Sequence, residues 1–170
     1  MAQATLPGLE PHTFNVLFVC TGNICRSPTA EAVFRHLVVQ AGLSNRIGVD
    51  SAATHAYHVG EPPDPRSIAA GAARGFDMKM LRARKMRGED FRTFDLILAM
   101  DRDHHAHISA LAPNDARATV QLFLDYHPTL QGRDVPDPYY GAPVGFIQVL
   151  DMVEEASRAL LAHIQGRLKA

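Results

Sequence analysis

Apolar and polar positions along this chain alternate between two periods. Predominantly apolar runs at Phe14 to Val19 and Phe94 to Met100, each with one polar residue in second place, have the length and composition of strands buried on both faces. Shorter strands are expected at about Arg46 to Ala52 and Thr119 to Phe123. Helical stripes lie between them. Val33, Phe34, Leu37, Val38 and Ala41 share one face after Ser27, and Gly42 is a stop signal. Ile68, Ala69, Ala72 and Ala73 mark a helix over about Arg66 to Gly75. Phe146, Leu150, Val153, Leu160, Ile164 and Leu168 mark a last one from Val144 to Leu168. Strands alternating with helices predict an α/β fold, a parallel sheet with right-handed crossovers and helices on both faces. Residues 1–13 are polar and contain proline, so a flexible tail is expected ahead of a single domain over 14–170.

The junction after the first strand carries the chemistry. Cys20-Thr-Gly-Asn-Ile-Cys-Arg26 joins a strand end to a helix start, where backbone N–H groups lack intrahelical partners and the helix dipole favours negative charge. Pro28 suits the first helical position. Gly22 and Asn23 are the residues that most readily take left-handed conformations in a tight cradle. Cys20, at the strand end, faces the ring of donors, an environment that favours thiolate over thiol. Arg26 closes the loop with a planar fork suited to two oxygens of a phosphoryl group. The Ser27 hydroxyl is placed to donate to the Cys20 sulfur. A thiolate beneath an anion and a guanidinium beside it imply phosphoryl transfer to sulfur.

Composition narrows the setting. The chain has 170 residues and a formal charge of −1, which points to neither a nucleic-acid surface nor a membrane surface. Two cysteines five apart are not a disulfide framework. No signal peptide or transmembrane span is expected, and a reducing cytoplasm suits a thiol nucleophile. Among His104, His105 and His107 no Cys, Asp or Glu spacing completes a metal site, so surface histidines are expected. The six basic residues from Lys79 to Arg92 are read as a solvated face rather than a polyanion site.

The run from Val16 to Ala32, Val-Leu-Phe-Val-Cys-Thr-Gly-Asn-Ile-Cys-Arg-Ser-Pro-Thr-Ala-Glu-Ala, resembles the signature of the low-molecular-weight protein tyrosine phosphatases, and the similarity extends from about Phe14 to about Arg167. The resemblance implies a three-layer, phosphotyrosine protein phosphatase I-like fold with a four-stranded parallel sheet. It implies hydrolysis of phosphotyrosine through a phosphocysteine on Cys20, with Arg26 as phosphate clamp. Thr21, Gly22, Asn23, Ile24, Cys25 and Ser27 complete the phosphate loop. Asp137-Pro-Tyr-Tyr140 corresponds to the family's acid loop, with Asp137 as general acid and then base. Pro136 and Pro138 stiffen the backbone around it. Tyr57, Tyr139 and Tyr140 would line a crevice deep enough to favour aryl phosphates.

Ser51 corresponds to a family serine that hydrogen-bonds near Asn23. Asp101, at the end of the third strand, corresponds to an acid that braces the cradle or Arg26, and it is equally placed to cap the next helix. Cys25 is either a redox partner that traps oxidised Cys20 or a small buried thiol. No metal or organic cofactor is implied. The partner is a phosphotyrosine-containing protein, phosphate and vanadate are expected inhibitors, and a monomer or weak dimer is expected.

Two positions depart from the family pattern. Leu81 stands where a histidine is expected and His104 where an asparagine is expected. Arsenate reductases resemble this chain but use downstream cysteines, and none follows Cys25. Protein-arginine phosphatases carry Thr where this chain has Ile24. A non-catalytic phosphate-binding module would have lost Cys20, Arg26 or Asp137.

Overall fold

A computed structural model describes residues 14–168; the expected tail at 1–13 lies outside them. Strands β1 (Phe14–Cys20), β2 (Ile47–Ala53), β3 (Leu96–Ala99) and β4 (Thr119–Leu122) form one parallel sheet in the order β2-β1-β3-β4. Side chains of β1 alternate between two cores. Val16, Phe18 and Cys20 face a layer built from α1 (Arg26–Gln40) and α5 (Val144–Leu168), including Phe34, Leu150, Val153 and Ile164. Leu17 and Val19 face the opposite layer, with Phe91, Phe94, Ile97 and Ile108. This is why β1 is apolar on both faces from Val16 to Cys20. The Phe18 ring meets Phe34 at 5.7 Å and Phe123 at 5.1 Å, both edge-on.

The remaining elements are α2 (Pro65–Ala73), α3 (Asp90–Thr93) and α4 (Arg102–Leu111), with a 3-10 turn at Phe123–Tyr126 where the fourth strand was expected to end. After β1 the chain pairs on one side with β2 and then crosses to β3 on the other. A crevice opens at the carboxyl end of such a switch point. Cys20 pairs in register with Ala53, and Val19 with both Ala52 and Ala99. The loops after β1, β2 and β3 therefore leave the sheet at the same edge.

Several local expectations change. Helix α1 begins at Arg26, so Pro28 sits third rather than first, still within the turn whose N–H groups have no partner. Ala41 is exposed at the helix end, and Gly42 turns the chain with φ 70°. Helix α2 buries Ser67 and Gly71, not the stripe of Ile68, Ala69, Ala72 and Ala73. The reason is close approach: a Cβ on Gly71 would lie 3.0 Å from Met78 Sδ and 3.1 Å from the Phe76 carbonyl. The basic stretch is only partly a solvated face. Arg84 reaches inward to Asp50 and Asp90, while Ala53 N–H donates to the Arg84 carbonyl and Met86 N–H to the Ala53 carbonyl.

Candidate active site

Cys20 is buried at the end of β1, and its sulfur takes two contacts from the start of α1. Ser27 Oγ lies 3.0 Å away and Ser27 N–H donates at 3.4 Å. Ser27 Oγ itself accepts from Asn23 Nδ2 at 2.8 Å, which leaves its own proton free to point at the sulfur. Two donors on one sulfur stabilise negative charge there. The second hydrogen of the Asn23 amide goes to Ser51 Oγ at 2.8 Å, and Asn23 Oδ1 accepts from Arg84 N–H at 3.1 Å. Asn23 is thus saturated, in a left-handed backbone with φ 58°.

Gly22 does not share that conformation, contrary to the sequence reading. A Cβ there would come within 2.9 Å of His58 Cδ2, so a larger residue would have to push that ring aside. The Ser51 hydroxyl in turn donates to Glu31 Oε1 at 2.6 Å. Burial raises the Glu31 carboxyl above its ordinary range, opposed by the Ser51 hydroxyl and Arg35.

Arg26 is buried, and one corner of its guanidinium is used up. Nη1 donates to Asp101 Oδ2 and to the Val135 carbonyl, both at 2.9 Å. The other corner remains for an anion, and Nη2 lies 3.7 Å from Asp137 Oδ2. Asp101 does both of its expected tasks, since its Oδ1 also caps α4 by accepting His104 N–H at 2.8 Å. Asp137 is half-exposed beside the cradle, and Tyr139 N–H donates to its Oδ1 at 3.1 Å.

Tyr57, His58, Tyr139 and Tyr140 line the opening above Cys20, Thr21, Gly22, Ile24, Cys25 and Arg26. Tyr57 stacks on His55 at 5.2 Å, and Tyr140 stands almost fully exposed at the mouth, edge-on to Tyr139 at 4.8 Å. The sequence-derived residues therefore converge on one crevice, with Ser51 and Asp101 behind it. Cys25 is a buried free thiol pushed up to about 12, by burial first and then by Asp64 and Cys20.

His104 is not at the surface. It is 5% exposed, and its Nε2 pairs with Thr21 Oγ1 at 2.7 Å. Its Nδ1 lies 3.1 Å from Asp101 Oδ1 but without hydrogen-bond alignment. Burial, then Arg26, lowers it to about 4, so the ring is neutral at pH 7. Its spacing three residues after the Asp101 cap was the available signal. Glu31, His58, Arg66 and Arg84 were also missed: each looks like an ordinary surface charge until the fold brings its partner close. Among the described residues, no group of three or more His, Cys, Asp or Glu side chains is arranged to hold a metal, and no helix is long and apolar enough to cross a membrane.

Comparison with known proteins agrees with this geometry. Residues 15–170 match the family model for low molecular weight phosphotyrosine protein phosphatase. A low molecular weight protein-tyrosine-phosphatase of Streptomyces coelicolor is 45% identical over 160 residues, covering 92% of this chain and 97% of the relative. A human low molecular weight phosphotyrosine protein phosphatase is 42% identical over 154 residues, covering 89% and 96%. The crystal structure of an Entamoeba histolytica protein tyrosine phosphatase superposes with a TM-score of 0.86 at 36% identity, covering 91% of this chain and 98% of that one. A thiol, a guanidinium and a carboxyl meet around one phosphate-sized cradle in a chain so matched along its length, and the protein belongs to the low-molecular-weight protein tyrosine phosphatase family.

Proposed function

We propose that this phosphatase hydrolyses phosphotyrosine in proteins, with residues 14–170 acting as one domain. The Cys20 sulfur attacks phosphorus, a sulfur–phosphorus bond forms, and the bond to the phenolic oxygen breaks. Arg26 holds two phosphoryl oxygens through the corner that Asp101 and Val135 leave free, and loop N–H groups take the rest of the charge. Asp137 gives its proton to the departing phenolate. The resulting carboxylate then takes a proton from water, which attacks the phosphocysteine and releases inorganic phosphate. The Ser27 hydroxyl stabilises the Cys20 thiolate as it leaves.

The observation that carries this reading is the pairing of two donors on the Cys20 sulfur with Asp137 within 3.7 Å of Arg26 Nη2. Tyr57, His58 and Tyr139 supply a wall for an aromatic leaving group, which favours phosphotyrosine over the shorter phosphoserine. Ile24 packs with Cys25, Ala83 and Phe146, an apolar setting that argues against the arginine-phosphatase alternative. Phosphate and vanadate compete for the cradle, and no metal enters the mechanism. The reading extends to a reducing cytoplasm, which a thiol nucleophile needs. It also extends to a monomer or weak dimer, with exposed Tyr57 and Tyr140 as the contact of any dimer.

The test is hydrolysis of phosphotyrosine, phosphoserine and phosphoarginine peptides by wild type and by Cys20→Ser, without added metal. Selective phosphotyrosine turnover, abolished by the substitution, is expected. Preference for phosphoarginine would sink the argument from Ile24.

A further inference from the structure

Arg66 joins the cradle to the loop that carries Asp137. It follows Pro65 at the start of α2, where Asp64 caps the helix. Its fork grips the buried Asp64 carboxylate through Nε at 3.0 Å and Nη2 at 2.9 Å. Asp64 N–H donates to the Ile24 carbonyl at 2.8 Å, so that carboxylate is mounted on the cradle itself. From there Nη2 donates to the Tyr139 carbonyl at 3.0 Å. The guanidinium also lies 4.5 Å from the centre of the Phe146 ring and 5.6 Å from that of Tyr139. Tyr139 N–H in turn reaches Asp137 Oδ1. Pro136 and Pro138 have no N–H with which to anchor the loop. Among the described residues, the backbone of residues 137–140 otherwise accepts only the local turn bond from Gly141 N–H to the Pro138 carbonyl at 3.1 Å, which does not tie it to the rest of the fold.

We propose that Arg66 is a positioning residue for the general acid: it fixes the Tyr139 carbonyl relative to the cradle, and so holds the Asp137 carboxyl toward the leaving oxygen. The proposal rests on the reading of Asp137 as that acid. Arg66 does not line the crevice, and its side-chain hydrogen bonds go to Asp64 and Tyr139, so its loss acts on leaving-group protonation and not on anion binding.

The experiment compares kcat/KM for phenyl phosphate, whose phenolate needs a proton to leave, with p-nitrophenyl phosphate, whose phenolate departs readily as an anion. Wild type, Arg66→Ala, Asp137→Asn and the double variant are measured, with vanadate inhibition of each. Arg66→Ala is expected to lose about tenfold or more on phenyl phosphate, and less than about threefold on p-nitrophenyl phosphate, with vanadate inhibition unchanged. The double variant should be no slower than Asp137→Asn, because both act through one group. Arg66→Lys keeps the charge without the fork and carries the same comparison should the alanine variant fail to fold. Equal losses on both substrates, weaker vanadate inhibition, an additive double variant, or no loss at all would each overturn the proposal. A lack of leaving-group dependence in Asp137→Asn would overturn the acid assignment with it, which separates that failure from a failure of Arg66 alone.

Discussion

His104 shows how one residue can belong to the site without touching its chemistry. It links Thr21, the first residue of the cradle after the nucleophile, to Asp101, which in turn holds Arg26. Its ring is kept neutral by burial and by Arg26, at about 4 against an ordinary value of 6.5. Between those values the unfolded chain takes up a proton that the folded protein refuses. Stability is therefore expected to fall as pH drops from about 6.5 toward 4, by on the order of 3 kcal/mol from this group at most. Urea unfolding at a series of pH values should show His104→Asn with a flatter dependence over that window, and an unchanged slope would contradict the assignment. The nucleophile and the arginine were legible in the sequence because their chemistry demands fixed residue types at a strand–helix junction, whereas Asp137, in what alone reads as a proline turn, was legible only through the family resemblance. His104 was not. Its place three residues after the Asp101 cap pointed to the site, but a histidine on a helix gives no sign of burial, which only the contact between the α4 start and the cradle supplies.

Elements were legible in proportion to how far local pattern alone decides them. Helix α5 runs from Val144 to Leu168, as its apolar stripe predicts, because a long amphipathic face against a sheet has one solution. Helix α2 misled because its buried face is set by the segment that folds back at Phe76 and Met78, and closeness there selects glycine over any apolar side chain. Two glycine substitutions test this with opposite signs. Gly71→Ala should cost about 1–3 kcal/mol, since the new methyl meets Met78 and a backbone oxygen. Gly166→Ala, in α5 with nothing within 4 Å, should gain up to about 1 kcal/mol from helix propensity. Chemical denaturation of both variants measures the two values side by side. A neutral Gly71→Ala would mean that α2 is free to move away from the chain that follows it.

At the scale of the molecule, parallel topology collects the site from distant parts of the chain. The carboxyl ends of β1, β2 and β3 share one edge, and the 135–140 segment docks there through Val135, whose N–H binds the Met100 carbonyl at 2.8 Å while its own carbonyl accepts from Arg26. An anion in the cradle should therefore stabilise the whole fold rather than one loop. Vanadate at about a hundred times its Kd is expected to add about 2.7 kcal/mol, a rise in Tm of about 5–10 °C for a chain of this size. The rise should vanish in Arg26→Ala, whereas a rise that survives would place the anion elsewhere. A parallel sheet with helices on both faces followed from alternating strands and helices, whereas the order β2-β1-β3-β4 and the meeting of Arg26 with Val135 lay beyond any local pattern.

The same topology has a consequence for the order in which the protein is made. A ribosome delivers the nucleophile early and the acid late, because Cys20 lies on β1 and Asp137 precedes only α5. Until α5 emerges, α1 lacks the apolar face that covers it, and Arg66 lacks the Phe146 ring. A nascent chain thus carries a cysteine and a cradle sequence with no assembled catalyst around them. Activity is expected to arrive in one step once α5 has emerged, and a premature stop before α5 to yield no weaker version of the enzyme.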